Sequence, residues 1–92
     1  MNVCFEWDGQ KARANFEKHG VDFSDAAVAL EDDRALTIED SEEYDEQRFI
    51  SICMDPTAKV IVVVFTWRGE RIRIVSARAA SKHEVRQYEG SQ

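Results

Sequence analysis

Cysteine is scarce in this chain. Its 92 residues hold two, Cys4 and Cys53, with no CxxC pair and no neighbouring pair of histidines. A disulfide scaffold and a zinc centre are both poorly supported by that arithmetic. Long apolar runs are missing too: the longest, Val60 to Phe65, is six residues, against roughly 20 for a membrane-spanning helix. The opening stretch from Met1 to Trp7 has neither a basic start nor an apolar run of signal-peptide length, so a cytoplasmic location is expected. One proline and four glycines stand where turns belong, and no repeat or low-complexity linker occurs.

What is present is globular. Hydrophobic residues make up 43% and charged residues 33%, well outside the disordered class. The length suits one core and one domain, residues 1–92. The net charge of −6 is unevenly spread. Residues 1–21 balance to zero, residues 22–46 set eleven acidic groups against Arg34 alone, and residues 47–92 set eight basic against four acidic groups. An acidic mean usually argues against nucleic acid as partner, but binding follows the local field, and the C-terminal half can present a cationic surface.

Val3 to Trp7 suits a short strand. Asp8 then caps a helix running to about His19, with Gly20 past its end, and Ala12, Phe16 and His19 share one helical face. Ser24 is expected to cap a second helix, Asp25 to about Leu30, with Phe23 and Val28 as a hydrophobic staple. Strands are expected over Ala35–Ile38, Arg48–Met54, Lys59–Trp67 and Arg71–Ala77. The acidic run from Glu39 to Glu46 has no apolar period and is expected to be a solvated loop. Asp55-Pro56-Thr57 and Arg68-Gly69-Glu70 are turns. Ser81-Lys82-His83-Glu84 is a capping box opening a C-terminal helix. The fold class is therefore α+β: one antiparallel sheet of about four to five strands, covered by two N-terminal helices, with a C-terminal helix.

Two blocks of residues carry a family resemblance. The first is Phe5-Glu6-Trp7-Asp8, Lys11-Ala12, Asn15, Lys18-His19-Gly20-Val21, Phe23 and Ala26-Ala27. The second runs from Arg71 to Ala80 and continues with Glu84, Arg86, Tyr88 and Glu89. Together they resemble the BrnT toxins from Phe5 to about Glu89. The resemblance implies a RelE-like fold and a ribonuclease toxin of a type II toxin–antitoxin system that cleaves RNA without a metal or other cofactor. It also implies a BrnA antitoxin of ribbon-helix-helix type, two toxins assembling with two antitoxins, and contact with DNA only through that partner. The acidic run departs from the pattern.

Metal-free RNA cleavage needs a base for the 2′-hydroxyl, an acid for the leaving 5′-oxygen and cations for the transition state. Arginine suits the last role, because its planar fork stays charged and meets two phosphate oxygens. The catalytic candidates are His19, Arg48, Arg78 and Tyr88, and the phosphate-binding candidates are Lys11, Lys18, Arg71 and Arg73. Each has a plain structural alternative: His19 as a helix C-cap, Tyr88 as a packed ring, Arg71 and Arg73 as a solvated strand face opposite Ile72 and Ile74. Arg78 has the parity of the isoleucines but is expected past the strand end, free to turn into a cleft. Glu84 is accounted for by the capping box. Glu42, Glu43, Asp45 and Glu46 are candidates for docking a basic antitoxin segment. The competing function class is a catalytically weak or degenerate toxin that only binds antitoxin and helps repress its operon.

Overall fold

The computed structural model describes residues 3–40 and 46–90. Strand β1 (Cys4–Glu6) leads into helix α1 (Gly9–His19) and helix α2 (Phe23–Ala29). Strands β2 (Leu36–Glu39), β3 (Phe49–Met54), β4 (Val60–Arg68) and β5 (Arg71–Ala79) follow, and helix α3 (Lys82–Gly90) closes the described chain. The five strands form one sheet in the order β1-β5-β4-β3-β2. From β2 to β5 they are antiparallel hairpin neighbours, whereas β1 lies parallel to β5. The sheet is mixed, which corrects the antiparallel expectation. A three-residue strand states its parity but not its direction, and its partner here is 67 residues away (Cys4 to Arg71).

Local chemistry sets the element ends. The Asp8 carboxylate accepts from the Gln10 and Lys11 N–H groups, at 2.8 and 3.1 Å, and starts α1. Gly20, at φ 72°, ends it in the left-handed conformation, its N–H donating to Phe16 O at 2.7 Å. Helix α2 is capped by Asp22 rather than Ser24; Ser24 N–H and Oγ both donate to the Asp22 carboxylate. That moves Phe23 into the first turn, where it is buried, and leaves Val28 exposed, so the expected staple is absent. A two-residue turn, Gly69-Glu70, joins β4 to β5, with Gly69 at φ 63°.

The core lies between one sheet face and helices α1 and α2. Val21, Phe23, Ala26 and Ala29 pack on Cys53, Ile61, Val63, Ile74 and Ala77, with Phe5, Ala12 and Leu30 at the margin. Trp7 meets Phe23 edge to face at 6.1 Å. The inner face of α1 differs from expectation: Phe16 is 53% exposed, and buried Asn15 occupies the inner position. Its side-chain amide donates to Val21 O and Ala77 O, while its oxygen accepts from Ala77 N–H, at 2.8–3.1 Å. Asn15 thus satisfies buried backbone groups that an apolar residue would leave unpaired.

An irregularity in β5 decides where its arginines point. Phe65 pairs with Ile74 and Val64 with Ser76, so Val75 has no partner and the alternation shifts by one residue. Ile72, Ile74 and Ala77 then share the core face, while Arg71, Arg73, Ser76 and Arg78 share the other. Arg78 lies within β5, opposite Val62, and not past the strand end.

Candidate active site

The second sheet face carries Leu36, Ile38, Ile50 and Ile52 on β2 and β3, and the arginines on β5. Helix α3 packs against β3. A trough of about 270 Å³ opens between them, lined by Leu36, Ile38, Ile50, Ile52, Arg78, Glu84 and Gln87. Ile38 is 65% exposed beside it.

The arrangement follows from local rules. Ser81 N–H donates to Glu84 Oε1 at 2.8 Å and Glu84 N–H to Ser81 Oγ at 3.2 Å, the capping box legible in the sequence. The same Glu84 carboxylate takes both ends of the Arg78 fork, Nη1 to Oε1 and Nη2 to Oε2, each at 2.9 Å. That bidentate pair holds the Glu84 carboxyl down at about 2 and raises Arg78 above its ordinary value. Both groups stay charged at any physiological pH.

Arg73 Nη1 donates to Glu6 Oε2 at 2.8 Å, and Arg71 approaches Glu6 at 3.6 Å. The hydrogen bond from Arg73 holds the Glu6 carboxyl below its usual range. Arg73 stands opposite Thr66 and Arg78 opposite Val62, four positions apart along β4. At roughly 3.3 Å per residue the two arginines are about 13 Å apart along the strand, which suits different phosphates of one RNA chain rather than a single phosphate.

The other sequence candidates do not join this group. His19 ends α1 on the helix-covered side, lining a separate cavity of about 160 Å³ with Asp25, Asp55, Thr57 and Lys59. Lys11 and Lys18 are exposed on α1. Arg48 is half-buried ahead of β3, where its carbonyl accepts from Asp40 N–H. Tyr88 is buried on α3, and its hydroxyl donates to Asp32 Oδ2 at 2.6 Å. That bond, with burial behind it, pushes the phenol up to about 12, so Tyr88 holds its proton. Glu46 pairs with Arg68 at 3.3 Å, and Glu42, Glu43 and Asp45 lie outside the described residues.

Sequence reasoning missed two residues here. Asp32 joins three parts of the fold, accepting from Tyr88, Arg34 N–H and Met54 N–H. Burial raises its carboxyl, but these bonds together outweigh that and hold it below the ordinary value. Inside the run Glu31-Asp32-Asp33 nothing local distinguishes it. Glu84 did carry a signal, the capping box, but that signal accounted for only part of what its carboxylate does.

The described residues thus form an α+β protein with a mixed five-stranded sheet and three helices, whose second face sets the carboxylate-held Arg78 beside a largely apolar trough, with Arg71 and Arg73 further along the strand. Residues 7–84 match a family model described as the ribonuclease toxin BrnT of type II toxin–antitoxin systems. The chain belongs to the BrnT family of ribonuclease toxins. Among solved structures it is similar to the Brucella abortus ribonuclease toxin BrnT, known at 1.1 Å. The identity is 26%, the TM-score 0.70, and the match covers 88% of this chain and 100% of that one. No curated protein matches the chain. Among the described residues, no helix is long and apolar enough to cross a membrane.

Proposed function

We propose that this protein is a metal-independent endoribonuclease of RelE-like fold. It inhibits translation in the cytoplasm and is neutralised by a BrnA-type antitoxin in an assembly of two toxins and two antitoxins. The observation that supports this best is Arg78: the shift at Val75 puts it in phase with Arg71 and Arg73, beside a trough open to a ligand. An arginine fork on an accessible face is a recurrent way to grip phosphate. Purified protein is expected to cut single-stranded RNA or translated message in the presence of EDTA. Intact RNA refutes the enzyme, and cleavage only on adding a divalent cation refutes the metal-free mechanism.

One observation favours the second reading, a weak or degenerate toxin acting as antitoxin-binding module. Arg73 and Arg78 are already paired with Glu6 and Glu84, whose negative charge offsets theirs and weakens their pull on phosphate. Growth arrest on induced expression separates the two readings.

The acidic segment serves the antitoxin rather than RNA, because like charges oppose phosphate approach. Replacing Glu42, Glu43, Asp45 and Glu46 by their amides is expected to slow association with a basic antitoxin segment and to flatten its salt dependence. An unchanged rate and an unchanged salt slope mean that these carboxylates take no part in antitoxin docking.

A further inference from the structure

Arg78 has five N–H donors, as every guanidinium does. Nη1 spends its two on Glu84 Oε1 and Ala79 O, and Nη2 spends one on Glu84 Oε2. The Nε–H and the second Nη2–H, which lie side by side along one edge of the fork, remain without a partner among the described residues. The side chain is 46% exposed. A guanidinium anchored at one edge and unused at the other is oriented for two oxygens of an incoming anion. On the carboxylate, Oε1 accepts from both Ser81 N–H and Arg78, whereas Oε2 accepts from Arg78 alone and keeps a lone pair.

Of the residues lining the trough, Leu36, Ile38, Ile50 and Ile52 are inert, Gln87 does not titrate in the physiological range and Arg78 holds its proton. Glu84 is the proton acceptor that remains. Away from the trough, Glu6 is held by Arg73 and Arg71, Tyr88 donates to Asp32, Asp32 accepts from three donors, and His19 stands on the opposite side of the sheet.

We infer that the trough is a ribonucleotide subsite in which the free edge of Arg78 binds the scissile phosphate, the apolar shelf takes the attached base, and Glu84 is the catalytic base. This deepens the ribonuclease reading and rests on it. In the step, Glu84 Oε2 takes the proton of the 2′-hydroxyl while the 2′-oxygen forms a bond to phosphorus. The bond from phosphorus to the 5′-oxygen breaks, and that oxygen takes a proton from solvent water. The products are a 2′,3′-cyclic phosphate and a free 5′-hydroxyl, and Glu84 returns its proton to water. Phosphate binding brings negative charge beside Glu84 and draws on the cation that restrains it, so its basicity rises when substrate is bound.

The decisive variant is Glu84→Gln, because glutamine also serves at this position of a capping box and keeps α3 started. Cleavage of an RNA oligonucleotide is expected to fall about 100-fold or more, the scale of a lost general base. Products of the parent protein should end in a cyclic phosphate. Glu84→Gln activity within about threefold of the parent, against the 10²–10⁴ a positioned base supplies, overturns the inference. A measurement on the parent protein stands beside it, free of any folding defect in the variant. On titration with an uncleavable 2′-deoxy oligonucleotide, the Arg78 Nε and Glu84 carboxyl NMR resonances should shift together. If neither moves, or if they move only with a protein partner, the trough is no nucleotide site. A parent protein that leaves RNA intact refutes the ribonuclease reading along with this one, whereas an active parent with an equally active Glu84→Gln refutes this one alone.

Discussion

Arg78→Ala is expected to lower RNA cleavage by well over tenfold while moving the melting temperature little. A single lost transition-state donor costs about 2.7–4 kcal/mol in enzymes that work by positioned hydrogen bonds. The stability side is small for a physical reason. Arg78 and Glu84 form a partly exposed pair, their side chains 46% and 21% accessible, and such pairs contribute about 0–1 kcal/mol. The capping box keeps its own two hydrogen bonds when Arg78 is removed. Arg71→Ala and Arg73→Ala should act in the same direction but more weakly, since they share Glu6 and stand further along the strand. The assay is cleavage per folded molecule alongside a melting curve. Normal activity with a large drop in melting temperature makes Arg78 a structural arginine and withdraws it from the site.

Asn15→Ala is expected to have the largest effect on stability of any polar substitution in the described chain. Three hydrogen bonds disappear, and the Ala77 N–H, the Ala77 carbonyl and the Val21 carbonyl lose a partner in the interior. Leaving a buried donor or acceptor unsatisfied costs about 1–3 kcal/mol, so a loss of roughly 3 kcal/mol or more is expected. In a domain of this size 1 kcal/mol corresponds to about 4–8 °C, which puts the drop in melting temperature above ~12 °C. Phe16→Ala, one position along on the exposed side, should change stability by about 0.5 kcal/mol or less. Thermal and urea unfolding of both variants check the contrast. A loss below about 1 kcal/mol for Asn15→Ala means that the helix end relaxes and re-pairs those groups.

The effect on Asn15 has a bearing on the site. Ala77 is the neighbour of Arg78, and the Asn15 amide clamps the β5 backbone to the end of α1 at that residue. The clamp lies just beyond Val75, where the pairing slips. A strand that changes phase needs such an anchor, because a slip by one residue moves every side chain to the opposite face.

What the sequence by itself determined was whatever is settled within a few residues. Asp8 and Gly20 bound the first helix, Ser81 and Glu84 open the last, and Gly69 turns the hairpin, because caps and tight turns are closed by neighbouring backbone groups. The two blocks around Lys18-His19-Gly20 and Arg71 to Ala80 likewise carried the BrnT resemblance that the family match bears out. Even locally, competition between adjacent caps was undecidable: Asp22 and Ser24 are both good N-caps, and the burial of Phe23 selects the first. Only the tertiary structure decided the rest. The direction of β1, the buried amide of Asn15 and the phase of Arg78 all depend on partners 62 to 67 residues away, or on pairing across the sheet. Strand parity counted from Ile72 and Ile74 gives Arg78 the core phase, and the sequence reading freed it only by ending the strand before it; the strand in fact continues, and one unpaired residue, Val75, turns Arg78 to the other face. A period-two pattern has no means of announcing such a slip, since the ladder of the opposite strand sets it, and the candidate site exists because of it.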